Sequence, residues 1–393
     1  MRTYDKAFFD QGIDRRNTDC EKWDGIAERM GRDVLPMWVA DMDFPCADEI
    51  MEAIRKRAEH PVFGYTDYAG RCARALTGFL QRRHGLSLSE DCHAMLPCVI
   101  TGLKTAVLTM TKPGDGVIVQ PPVYGPFYGS VRDNDRKLCE CPLDRDEQGY
   151  YTMNLTLVEE ALKGGVKLML LCNPHNPAGR AWTREELMEL WQILKRYDCA
   201  LISDEIHMDF VLGDRPFVPI LSVAKEDTDR VAALTSASKT FNLAGLQQAA
   251  ILCRNQDMLG TMKKQMNAAG VTQGNIFAMV ACEAAHLYGD RWLDSLKAYL
   301  QEAYALLKAE LAQRLPKAVL TPLEATYLAW IDLRAYGFTM EELNQRTLEH
   351  GVFFTEGAFF GQEAGAGFLR INLACPHSHT LEAVKRLEEA IKA

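Results

Sequence analysis

Between about residues 95 and 255 the chain alternates short apolar runs with longer amphipathic stretches. The runs Val117-Ile118-Val119, Leu168-Met169-Leu170-Leu171, Ala200-Leu201-Ile202-Ser203 and Val231-Ala232-Ala233-Leu234 are too short for buried helices and lack polar alternation. Such runs are strands covered on both faces, and their alternation with helices predicts a mainly parallel sheet in an α/β fold. Val99-Ile100-Thr101-Gly102 opens a helical stretch to about Met110, and Thr183 with Glu186 forms a capping-box signature at the head of another. Upstream, helix signals cover residues 47–59 and a second stretch ending near Phe79. Phe63-Gly64-Tyr65-Thr66 breaks the pattern between them.

After Ala249-Ala250-Ile251-Leu252 the pattern turns helical from about residue 256 to 313, with Trp292, Leu293, Leu296 and Leu300 on one face. The remainder predicts a smaller α/β unit: a strand over 327–333, a helix from Thr339 with a second capping box to Glu342, and a strand over 368–373. A terminal helix follows, with Leu381, Val384, Leu387 and Ile391 as its apolar face. Three regions are expected from this: an N-terminal arm over 1–45 that packs with the small domain, a large domain over 46–285, and a small C-terminal domain over 286–393. The arm contains Trp38-Val39-Ala40-Asp41-Met42-Asp43-Phe44, mostly apolar with two aspartates. Two readings fit it: a loop facing a substrate, or a buried turn whose aspartates cap the next helix.

Three polar loops begin where apolar runs end. Asn176 lies in Asn173-Pro174-His175-Asn176-Pro177-Ala178-Gly179, and Asp204 opens Asp204-Glu205-Ile206-His207. Lys239 stands in the polar loop Ser236-Ala237-Ser238-Lys239-Thr240-Phe241-Asn242. Ligands of open α/β sheets bind outside the carboxyl ends of strands, so these three loops converge on one crevice. Lys239 is the candidate catalytic residue, because a lysine attacks an aldehyde only where desolvation or a nearby cation keeps part of it neutral. A helix opening at Val99 and Ile100 would offer its unpaired N–H groups to a phosphate.

Composition narrows the partners. Forty-four basic against 53 acidic residues give a formal charge of -9, and no run of like charges marks a nucleic-acid or membrane patch. A small-molecule partner is expected. The 12 cysteines are scattered, with Cys139 and Cys141 the only close pair, and neither metal-type nor redox CxxC spacing occurs. No metal is expected. No apolar run approaches the ~20 residues that span a bilayer, and the N-terminal residues carry no apolar leader, so a cytoplasmic protein with reduced thiols is expected.

Taken together, these stretches resemble the fold-type I pyridoxal phosphate (PLP) enzymes of the class I/II aminotransferase superfamily, and within it the MalY/PatB group of cystathionine β-lyases. The likeness is carried by residues 38–44, Phe63-Gly64-Tyr65, Asn173 to Pro177, Ser203 to His207, Ser236 to Asn242, Ala325-Thr326-Tyr327-Leu328-Ala329-Trp330 and Arg370-Ile371-Asn372, in the expected order along nearly the whole chain. The resemblance implies a large mainly parallel-sheet domain with a smaller C-terminal α/β domain. It implies that Lys239 holds PLP as a Schiff base and moves the substrate proton, and that Asp204 pairs with the pyridine nitrogen. Asn176 would bond the ring oxygen with His207 near it, and Tyr124 would stack on the ring. By their own sequence context, His207 and Tyr124 also read as core residues. Phosphate would meet the N–H groups of Val99 and Ile100, Ser236, Ser238, and Tyr65 from a second subunit, which implies a homodimer with shared active sites. Arg370, which alone would read as a surface ion-pair residue, would clamp the substrate carboxylate, and Ala40 and Asp41 would face the substrate.

One position departs from the superfamily. Many of its aminotransferases carry an arginine eight residues after the lysine to neutralise the phosphate, and here Gln247 stands there. That fits the lyase branch. Three functions are therefore weighed: a β-lyase that cleaves cystathionine or related cysteine conjugates to a thiol, pyruvate and ammonia; an aminotransferase; and a regulatory PLP-binding protein.

Overall fold

The computed structural model describes residues 2–225, 230–271 and 274–393. Seven strands form its main sheet: β1 (His93–Leu96), β2 (Gly116–Val119), β3 (Lys137–Glu140), β4 (Leu168–Cys172), β5 (Ala200–Asp204), β6 (Val231–Thr235) and β7 (Ala249–Leu252). Their order is β1-β7-β6-β5-β4-β2-β3. Neighbours from β6 to β3 are parallel, and β7 runs against both β6 and β1.

The apolar runs are uninterrupted because each strand feeds two cores. In β4, Leu168 and Leu170 pack into the layer that includes Val107 of helix Val99–Met110, whereas Met169 and Leu171 pack into the layer that includes Leu190 of helix Arg184–Arg196. Each such leucine, fully buried, contributes about 1.5–3 kcal/mol. The edge strand β3 has only exposed or half-buried residues, and β1 alternates half-buried with buried ones, so neither shows as an apolar run.

Both capping boxes form. Thr183 Oγ1 accepts from Glu186 N at 3.2 Å while Glu186 Oε2 accepts from Thr183 N at 2.8 Å, and Thr339 with Glu342 repeats the arrangement. The helical region after β7 divides into Gln256–Ala268, Ile276–Tyr288 and Asp290–Arg314. Trp292, Leu293, Leu296 and Leu300 of the last helix are fully buried. A second sheet follows, formed by β8 (Val319–Leu320), β9 (Leu328–Asp332), β10 (Thr355–Glu356) and β11 (Phe368–Asn372) in the antiparallel order β8-β9-β11-β10. The arm joins this region: Leu35–Pro36 pairs in parallel with Val352–Phe353, and Phe9 packs edge-on against Phe44 and Trp292.

Three local expectations change. In the terminal helix His377–Lys392, Val384 and Leu387 are buried but Leu381 is exposed, because the buried face runs through Thr380, Ala383 and Ala390 and leaves Leu381 on its flank. The aspartates do not cap the next helix, which starts at Asp48 with Ala47 as an N-cap lacking any side-chain bond. Asp43 instead accepts from Lys22 Nζ at 2.8 Å and Trp23 Nε1 at 3.1 Å, and Asp41 takes a two-pronged bond from Arg15 at 2.9 and 2.8 Å. Lys239 lies on a short helix, Ala237–Thr240, capped by Ser236, rather than in an open loop.

Candidate active site

The carboxyl ends of β1, β2, β4, β5 and β6 share one side of the sheet, and the loops leaving them meet there. After β6, Ser236 Oγ accepts from Ser238 N at 3.0 Å and donates to Gln248 O at 2.5 Å, which tightens the turn carrying Lys239 and ties it to β7. From behind, Thr240 Oγ1 donates to Asp209 Oδ2 at 2.6 Å, and Asp209 Oδ1 lies 2.7 Å from His84 Nε2. The side chain of Lys239 points forward, and its Nζ donates to the carbonyl of Ala40 at 2.6 Å. Burial lowers the Lys239 ammonium to about 8; Arg370 adds to this while Asp41 and Asp204 oppose it.

Asp204 is the last residue of β5 and is buried, with Oδ1 accepting from Ile206 N at 3.1 Å. Burial raises its carboxyl to about 7, eased by that N–H and by Lys239. His207 is buried too. Burial, Lys239 and Arg370 hold its imidazole neutral by lowering it to about 3. Arg370 projects from β11, where it pairs with Trp330 of β9 and Thr355 of β10. Its Nη2 donates to Trp38 O at 2.6 Å and to Thr355 Oγ1 at 3.2 Å, and its Nη1 donates to Asn176 Oδ1 at 3.3 Å. Tyr124 follows β2, with its ring edge-on to Phe359 at 5.8 Å and its hydroxyl pushed up by burial beside Arg370 and Asp204.

Val99 and Ile100 begin the helix after β1, whose N-cap Cys98 makes no side-chain capping bond. Their N–H groups are the first of the helix, where an anion is favoured. Tyr65 stands apart: it is 95% exposed, on a stretch without helix or strand. Gln247 is exposed, at a left-handed φ of 56°.

Segment 38–44 is held by its backbone. The carbonyls of Val39 and Asp41 each accept from Asn372 Nδ2 at 2.6 Å, and those of Met42 and Phe44 accept from Asn242 Nδ2 at 3.0 Å. Tyr327 Oη donates to Ala40 O at 3.0 Å. Asn242, Asn372 and Tyr327 were not singled out from sequence. The one available signal was Asn242 after the lysine turn, since it sits at a left-handed φ of 59°, which asparagine tolerates better than most residues. A groove of about 900 Å³ lined by Arg15, Asp41, Met42, Phe44 and Asn242 opens beside the segment.

The arrangement suits an anionic aromatic aldehyde. A partly neutral amine, a buried carboxylate without a neighbouring cation in hydrogen-bond contact, and an uncapped helix N-terminus lie on one side of the sheet. Two fully buried nitrogens, His207 Nδ1 and Arg370 Nε, lack a hydrogen-bond partner, an unfavourable condition that a polar ligand would relieve. Among the described residues, no group of His, Cys, Asp and Glu side chains could hold a metal ion, and no helix is long and apolar enough to cross a membrane.

The chain belongs to the aminotransferase class I and II family, whose model matches residues 32–387. It is 38% identical over 386 residues to the cystathionine β-lyase PatB of Bacillus subtilis, covering 98% of this chain and 99% of that one. Among solved structures it superposes with cystalysin from Treponema denticola, which contains a pyridoxal 5'-phosphate cofactor, at a TM-score of 0.94 and 32% identity, covering 98% of each chain. The PLP-bound C–S lyase of Staphylococcus hominis gives a TM-score of 0.90 at 30% identity, again over 98% of each chain. The fold is thus the fold-type I α/β arrangement expected from the sequence.

Proposed function

We propose that this protein is a PLP-dependent carbon–sulfur β-lyase that cleaves cystathionine or a related cysteine conjugate to a thiol, pyruvate and ammonia. The observation that carries the reading is the meeting of Lys239, Asp204 and Arg370 on one side of the sheet, in a chain whose full-length relatives include a cystathionine β-lyase and a C–S lyase. PLP, when bound, supplies an electron sink for the carbanion at the substrate Cα.

The residues divide the remaining work. Lys239, lowered to about 8, keeps a usable fraction of free amine near neutral pH, first to hold the aldehyde covalently and then to take the Cα proton. Asp204 sets a buried negative charge against the ring nitrogen, and Asn176 with neutral His207 offers hydrogen bonds at the ring oxygen. Tyr124 covers the ring. Ser236, Ser238 and the N–H groups of Val99 and Ile100 hold the phosphate, joined by Tyr65 of a second copy in a homodimer with shared sites. Arg370 takes the substrate carboxylate in a two-pronged bond, and Ala40 with Asp41 borders the substrate's far side. In domain terms, an arm over 1–45 and a small domain over 286–393 close on a PLP-binding domain over 46–285.

The test is a product assay with cystathionine. Continuous release of homocysteine, pyruvate and ammonia without a keto acid supports the lyase. A single stoichiometric burst that resumes only when a keto acid is added assigns an aminotransferase instead.

A further inference from the structure

The phenol of Tyr327 and the amine of Lys239 converge on one atom. Tyr327 Oη donates to Ala40 O at 3.0 Å, and Lys239 Nζ donates to the same oxygen at 2.6 Å. A carbonyl oxygen has two lone pairs, so these two donors saturate it. We propose that Tyr327 is a positioning residue for Lys239, acting through the Ala40 carbonyl that both side chains share. The proposal deepens the lyase reading and rests on its assignment of Lys239.

The carbonyl is fixed from both sides, because its neighbours Val39 O and Asp41 O are each held by Asn372 Nδ2 at 2.6 Å. The tyrosine is fixed as firmly. It is fully buried, with its ring edge-on to Phe210 at 4.9 Å and to His207 at 5.8 Å. The residue before it, Thr326, has a φ of 71°, a left-handed conformation that a β-branched side chain adopts only when its surroundings impose it. Two bonds impose it here: Thr326 N donates to Phe210 O at 2.9 Å, and Thr326 Oγ1 accepts from Leu328 N at 3.1 Å. This kink carries the chain into β9 and delivers the phenol to Ala40.

Two donors on one oxygen place the phenolic hydrogen beside the ammonium, and that positive end opposes the charged form of the lysine. The charged groups facing Lys239 are Asp41 from the arm, Arg370 from β11 and Asp204 from β5, with neutral His207 alongside. Those facing Tyr327 are Asp41 and Arg370. Removing the phenol leaves all of them in place, so its effect can be read separately.

The experiment uses the cofactor-free chain, pulsed with acetic anhydride from pH 6 to 10, with acetylation of each lysine read by peptide mass spectrometry. In Tyr327→Phe, labelling of Lys239 should shift to higher pH, with about threefold less product at pH 7.5, while other lysines keep their profiles. An unchanged Lys239 profile overturns the proposal. If that variant fails to fold, 3-fluorotyrosine placed at 327, a stronger donor on the same ring, should move the profile to lower pH. No shift there overturns the proposal equally. Neither readout depends on turnover, so a cofactor found attached elsewhere would sink the lyase site assignment without altering this result.

Discussion

Arg370 and Asn176 touch although 194 residues separate them, with Nη1 donating to Oδ1 at 3.3 Å. Through this contact the second sheet reaches the loop after β4, and a residue assigned to the substrate meets one assigned to the cofactor. Arg370 should therefore tolerate little change. Arg370→Lys loses the fork that spans Trp38 O and Asn176, and should lower kcat/KM for cystathionine by ~100-fold, mostly through KM. Steady-state kinetics check this; an unaltered KM would assign the carboxylate to another group.

Lys239→Ala should bind PLP without a covalent link. After borohydride treatment, the intact mass of the native chain should include the cofactor and that of the variant should not. Turnover should fall ~100-fold or more, as expected when a positioned base is removed.

Asp204 gives a pH signature in the cofactor-free chain. Burial raises its carboxyl from 3.8 to about 7, so between those values the folded chain holds a proton that the unfolded chain releases. Stability therefore falls as pH rises through that window. Asp204→Asn should be more stable than the native chain at pH 8, by about 4 kcal/mol, and the gap should close near pH 4. Thermal melts at both pH values decide it. An equal gap at each would show that Asp204 does not titrate there. With PLP loaded, the same variant should lose ~100-fold in kcat, because a buried charge aimed at the reacting system has gone.

Tyr65 tests the shared site. Tyr65→Phe and Lys239→Ala chains, each inactive alone, should regain about a quarter of native activity when mixed equally, since half the dimers are then mixed and each has one intact site of two. No recovery, despite proven subunit exchange, would build each site from one chain.

Asp43 tests the arm. Lys22 and Asp43 are both buried and paired at 2.8 Å. Asp43→Ala leaves the lysine uncompensated and should destabilise folding by about 3–5 kcal/mol, whereas Lys22→Met with Asp43→Leu should recover much of that. Denaturant titrations compare the two.

Much of this was legible in the chain. Strands β2 and β4 to β6 stand out because burial on both faces leaves them apolar until their carboxyl ends, and Asn176, Asp204 and Lys239 follow directly from where those runs stop. The edge strand β3 was not legible, because half-exposed residues such as Lys137 and Glu140 resemble any polar turn. Nor was Tyr327. Its partner is a peptide carbonyl, which leaves no mark in the residue at position 40, and Asn372 was hidden for the same reason. The two aspartates of the arm were ambiguous because their cations, Arg15 and Lys22, lie some 20 to 30 positions upstream.

A segment gripped by its peptide groups has unusual freedom in its letters. Val39 and Ala40 are only half-buried, and what holds them in place is oxygen atoms common to every residue. On the proposed reading, in which this segment borders the substrate, exchanging these two side chains would reshape that border while leaving the backbone oxygens that meet Lys239 and Asn372 in place. Proline is barred at 42 and 43, where the N–H groups of Met42 and Asp43 donate to Asn242 Oδ1 and Ala374 O. Side chains at 39 and 40 are thus separable from the backbone frame that positions Lys239, so substitution there should change what the segment presents without displacing the lysine.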